Sequence, residues 1–98
     1  MKRIRYMDQS WLVGDSTGRL LMDFAAALAK IGASEHVRFR GIDPSHNEID
    51  LEIMVGPGTQ MISESIVVDD PEPDNGEVEK SMRERIELIS AIGADSGI

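Results

Sequence analysis

The residues best suited to chemistry begin at Gly14-Asp15-Ser16, where the apolar run Trp11-Leu12-Val13 gives way to a helical pattern. A serine at such a junction acts as a nucleophile when a histidine takes its proton and a carboxylate orients that histidine. Asp43-Pro44-Ser45-His46 supplies both residue types at close spacing. A serine just ahead of a helix more often accepts a backbone N–H of the first turn. The expectation is therefore that Asp15, Ser16 or Thr17 caps the helix, with Ser16 as the nucleophile of a small hydrolase a remote alternative.

Other constellations point to no site. His36 and His46 are the only histidines and cysteine is absent, whereas zinc needs three or four ligands of defined geometry. Asp43 to Asp50 has the acids of a calcium loop without its DxDxDG order or its glutamate at the twelfth position. Gly56-Pro57-Gly58-Thr59 is followed by no lysine and no helical pattern, so it is a turn and not a phosphate loop. Arg3, Arg5, Arg38 and Arg40 would form a basic stripe if the first strand lay beside the third, although Asp50 and Glu52 would neutralise half of it. No catalytic, cofactor-binding or metal-binding residue is expected.

Composition bounds the rest. Ninety-eight residues, 41% hydrophobic and 29% charged, make one domain with a modest core. No apolar run approaches the roughly 20 residues that span a bilayer. Met1 to Arg5 is basic, but no signal-type apolar core follows it. The absence of cysteine fits a reducing cytosol, and a cytoplasmic protein is expected. A formal charge of −8 argues against nucleic acid as a partner, because phosphate attraction dominates that affinity.

The elements that must position these residues follow from periodicity. Leu20, Leu21, Phe24, Leu28 and Ile31 form a helical stripe over Ser16–Ile31, with Gly32 placed to end it. Phe24, the bulkiest member, belongs at the centre of the core. Lys2 to Tyr6 is a first strand, Met7 to Ser10 is turn-like, and Trp11 to Val13 pairs back. Val37 and Phe39 alternate with Arg38 and Arg40, and Ile49, Leu51, Ile53 and Val55 alternate with Asp50, Glu52 and Met54. A hairpin pairing Phe39 with Leu51 and Val37 with Ile53 sets Arg40 against Asp50 and Arg38 against Glu52. Gln60 to Val68 reads as a returning strand. Asp69 to Glu79 holds six acids and two prolines, an exposed connection whose core is 69–76. Asp74 or Asn75 caps a last helix striped by Val78, Met82, Ile86 and Ile89, widened by Leu88 and Ile92. Gly93 ends that helix, so the domain is 1–92 and the tail 93–98.

Two resemblances carry names. Gly14-Asp15-Ser16 is similar to the first block of the GDS-type (SGNH) hydrolases, and Asp43-Pro44-Ser45-His46 has the spacing of that family's catalytic Asp and His. That family keeps its Asp-His block far towards the C-terminus of a larger α/β domain, and its Gly and Asn oxyanion blocks have no counterpart here. The order of elements resembles a family of short bacterial proteins of unknown function, about a hundred residues long. It runs from a strand like Met1 to Tyr6, through a helix like Arg19 to Ile31 and strands like Val37-Arg38-Phe39 and Leu51-Glu52-Ile53. A Pro-rich turn then leads to a helix like Val78 to Ile92. Some members bear the label ATP-dependent DNA ligase, yet the lysine of a KxDG motif that a ligase adenylylates is absent. That resemblance implies no functional residues.

The expected architecture is α+β: an antiparallel sheet of four or five strands, a long helix after the first strands, and a C-terminal helix packed on it. The expected function is a non-catalytic protein-interaction module that binds another protein or itself. An acidic inhibitor or decoy occupying a basic surface is the alternative. Ile62, Glu64, Ile66, Val67, Val68, Asp69 and Asp70 are the candidate interaction surface. Gln60 to Val68 contains neither lysine nor proline to guard an edge, and an antiparallel homodimer through it is expected.

Overall fold

Ile4 and Tyr6 alternate with Arg3 and Arg5, and that alternation forms β1 (Lys2–Tyr6). In the computed structural model, which describes residues 1–96, the order continues with β2 (Gln9–Val13), α1 (Asp15–Lys30), β3 (Glu35–Ile42) and β4 (Glu48–Val55), then β5 (Met61–Ser65) and α2 (Gly76–Ser96). The strands form one antiparallel sheet in the order β4-β3-β2-β1-β5, and the expected α+β architecture is the one found. The β3–β4 register is the anticipated one, Phe39 opposite Leu51, Val37 opposite Ile53, Arg40 opposite Asp50 and Arg38 opposite Glu52. The turn between β1 and β2 is shorter than expected. Met7 and Asp8 suffice, with Met7 at φ 56°, so Gln9 and Ser10 already belong to β2.

α1 buries Leu20, Leu21, Phe24 and Leu28 in one cluster with Ile4, Val13, Val37, Phe39, Ile53 and Val55. Phe24 sits in the middle of it at 2% exposure, and the Arg85 guanidinium lies 5.7 Å from its ring centroid. The helix ends as its glycine requires. Gly32 takes φ 68°, its N–H reaches the Ala29 carbonyl, and the Ala33 N–H reaches that of Leu28, which is a Schellman ending. Ile31 therefore falls outside α1 and is 41% exposed, contrary to its expected place in the stripe.

α2 packs along α1 and touches the sheet at β3. Met82 and Ile89 are buried, whereas Leu88 and Ile92 are 64% and 56% exposed, because a helix resting on another helix covers only a narrow stripe. α2 continues to Ser96, past Gly93, since a single interior glycine costs only about 1 kcal/mol against alanine. Of the anticipated 93–98 tail, residues 97–98 lie outside the described residues.

The sheet curls. The Tyr6 hydroxyl donates to the Met54 carbonyl at 2.8 Å, joining β1 to β4 although β2 and β3 lie between them. In a flat sheet that separation would be three strand spacings of about 4.8 Å. The bend falls at the β2–β3 junction, where the only paired residues are Leu12 and Ile42. Beyond that pair the chain turns off into α1, and a side chain takes the place of the missing strand. Asn75 Oδ1 accepts the Arg40 N–H at 2.8 Å, and Asn75 Nδ2 donates to the Arg40 carbonyl at 2.9 Å.

Asn75 belongs to the segment 66–75, a strap from β5 to α2 that is less exposed than its acidity implies. Pro73 and Asn75 are buried, and Glu72 lies over Gly14, where a Cβ would overlap its side chain. Desolvation of these few residues is offset by hydrogen bonds that composition alone does not reveal.

Candidate functional site

Which peptide groups face outward on β5 follows from its end. The Ile66 N–H bonds the Met1 carbonyl at 3.0 Å, and the Met1 amino group returns to the Ile66 carbonyl at 3.5 Å. Antiparallel partners exchange such bonds at every second residue, so Arg3–Glu64 and Arg5–Ile62 are bonded pairs too. The peptide groups of Met61, Ser63 and Ser65 therefore point away from β1, and among the described residues no strand lies on that side. Ile62 projects from the face opposite the helices and is 58% exposed.

The opposite edge is guarded. β4 carries Glu48, Asp50 and Glu52 along one face, and its Met54 carbonyl is taken by Tyr6. Arg38 and Arg40 pair with these acids, and a row of charged side chains along an edge discourages a further strand. β5 has a single charge, Glu64, and Arg5 Nε holds it at 2.7 Å.

The anticipated interaction surface divides. Ile62 and Glu64 lie in β5, which ends at Ser65 and not at Val68, with one further backbone bond from Ile66 to Met1. Val67 is fully exposed on the strap, and Asp69 is exposed beside it. Ile66 and Val68 line a hollow against the sheet, and Asp70 Oδ2 meets His46 Nδ1 at 2.9 Å.

Ser16, the candidate nucleophile, is exposed in the first turn of α1. The N-cap is Gly14, with no side-chain cap, which corrects the expectation that Asp15, Ser16 or Thr17 would serve. Thr17 is fully buried and donates to Glu79, and Asp15 meets the Met1 amino group at 3.0 Å. That ammonium holds the Asp15 carboxyl below its ordinary value. Asp43 Oδ1 accepts the N–H groups of Ser45 and Asn47, so it orients the loop while His46 turns to Asp70. His46 adopts φ 66° where a type I turn meets a bulge, a position that favours glycine. The His46–Asp70 and Asn75–Arg40 contacts escaped the sequence because each joins residues more than twenty positions apart without a periodic signal.

His36 lies 3.7 Å from Glu52, and among the described residues no three His, Asp or Glu side chains gather as metal ligands. Gly56 to Thr59 is a turn, closed by the Thr59 N–H on the Gly56 carbonyl at 3.1 Å, with Gly58 at φ 78°. The condition for an arginine stripe fails because β2 separates β1 from β3. Arg40 pairs with Glu48 and Asp50, and Arg38 with Glu52. No helix among the described residues is long and apolar enough to cross a membrane. No protein-family model, curated protein or solved structure matches the chain.

Proposed function

We propose that this chain is a non-catalytic protein-interaction module that pairs with a second copy of itself through β5. The observation that supports it is the free edge formed by the Met61, Ser63 and Ser65 peptide groups, beside an exposed Ile62 and unguarded by lysine or proline. Of the antiparallel registers available, the one centred on Ile62 sets that side chain against its own copy in a non-hydrogen-bonded pair, where side chains approach most closely. It also keeps each Glu64 away from its copy, whereas a register centred one pair later would bring the two together. An acidic decoy has less support, because three of the six acids between 69 and 79 are held internally, Asp70 by His46, Asp74 by the Gly76 N–H and Glu79 by Thr17.

The absence of cysteine makes the test direct. Mild oxidation of Ile62→Cys should give a disulfide-linked dimer, and Ser45→Cys, on the exposed β3–β4 loop, should not. Light scattering of the unmodified protein at tens of micromolar should give about twice 10.8 kDa, and Ile62→Lys should halve that mass while leaving the melting temperature of the monomer. A monomeric mass for the unmodified protein, or equal crosslinking at positions 45 and 62, refutes the pairing.

A further inference from the structure

Arg3 stands out among the cations. With 18 acids to 10 basic residues, the chain has carboxylates to spare, yet Arg3 has no ion pair among the described residues. Glu64, directly across from it on β5, turns to Arg5 instead. Arg19, Lys30 and Lys80, which also lack an ion pair there, are exposed, and Lys2, half-buried like Arg3, donates to the Ser65 hydroxyl at 2.6 Å. Arg3 lines a hollow of about 250 Å³ on the sheet face away from the helices. Leu12 and Ile42 form part of the sheet side, and Ile66 and Val68 of the strap line it as well. Ser10 and His46 also line it, so a half-buried arginine without an ion pair stands beside both polar and apolar side chains.

We infer that this hollow binds a small amphiphilic carboxylate, its head on Arg3 and its aliphatic body along Leu12, Ile42, Ile66 and Val68. A guanidinium matches a carboxylate with two parallel N–H donors, which favours that head group. The volume equals about eight waters at roughly 30 Å³ each, which sets the ligand at about eight non-hydrogen atoms. The net charge of −8 does not forbid an anion here, because at physiological salt the Debye length is about 8 Å and the nearest charge dominates. Asp70 on the strap is held by His46, which lines the hollow. This site is independent of pairing through β5.

Trp11, the chain's one tryptophan, packs into the core on the helix side of β2, so occupancy of the hollow is read by isothermal titration calorimetry. The full chain is titrated with butanoate, hexanoate and octanoate, and with 1-hexanol as an uncharged probe. A saturable one-to-one response is expected for the acids, tightening about fourfold per added CH₂ until the hollow is full. Arg3→Gln should weaken hexanoate about tenfold or more and leave 1-hexanol unchanged. The inference is overturned by three results: no saturation on the order of millimolar octanoate, hexanol binding as tightly as hexanoate, or a folded Arg3→Gln that binds hexanoate normally. Should Arg3→Gln fail to fold, the hexanoate–hexanol comparison on the unmodified chain decides.

Discussion

Replacing Asn75 by alanine removes a two-point contact that stands in for a strand. Its carboxamide is the partner of both the N–H and the carbonyl of Arg40, at 2.8 and 2.9 Å, where β2 has already left β3. Alanine would leave both backbone groups part-buried without a partner, at about 1–3 kcal/mol each, less where water enters. The expected loss is about 2–4 kcal/mol out of a total stability of about 5–15 kcal/mol for a chain this size. Little of it comes from capping, because the Gly76 N–H is held by Asp74 Oδ1 at 3.0 Å. Urea unfolding at neutral pH measures the loss, and hydrogen exchange at the Arg40 amide locates it. Asn75→Asp separates the two bonds. It keeps the acceptor for the Arg40 N–H but sets a second acceptor against the Arg40 carbonyl. Only its protonated form can donate there, so its carboxyl pKa in the folded state is raised. The stability conferred by that proton is present at low pH and lost as pH rises through the raised value. The aspartate variant should therefore approach the unmodified protein on acidification, while the alanine variant should not. An Asn75→Ala midpoint within about 0.5 kcal/mol of the unmodified protein would refute the reasoning.

Three further outcomes follow from the structure. Ser16→Ala should shift stability by no more than about 0.5 kcal/mol, since Ser16 is exposed and caps nothing; a loss near 1 kcal/mol in a melting experiment would restore its capping role. Gly18→Ala should destabilise by about 1 kcal/mol despite better helix propensity, because the new Cβ would lie 2.8 Å from Lys2 Cβ; a raised melting temperature would show that α1 can move off β1. Asp15, whose carboxyl is held below its ordinary 3.8 by the Met1 ammonium, adds stability above that value and loses it as pH falls through the depressed one. Asp15→Asn should thus flatten the acid limb of a urea-midpoint profile below about pH 5, and an unchanged limb there would show that the pair contributes nothing.

Much of the sheet was legible in the chain because alternation and charge agreed. Val37 and Phe39 face Ile53 and Leu51, Arg38 and Arg40 face Glu52 and Asp50, and a one-residue slip would spoil both sets at once. Strand order was not legible. Nothing in Gln60 to Val68 tells whether that strand lies inside the sheet or at its rim, and the rim position rests on its pairing with β1 alone. The cap failed for a local reason: the backbone at Gly14 is already extended at φ −64°, ψ 161°, so the helix starts one residue before the serine. The strap failed for a longer-range one. Asp70, Pro73 and Asn75 look like solvated linker until β3, β4 and their loop supply the groups that receive them.

The junction between β2 and β3 also bears on how the chain is made. Each half of the sheet can begin to assemble as it leaves the ribosome, since β1 pairs with β2 and β3 with β4 within the first 55 residues. The Leu12–Ile42 pair and the Tyr6–Met54 bond can already join those halves, but the outward partners of the Arg40 peptide groups arrive only with residue 75. A nascent chain arrested before that point should show two protected hairpins and rapid exchange at Arg40, and protection there should appear in one step once the strap has cleared the exit tunnel. Protection of Arg40 is in this sense deferred until the strap has been made.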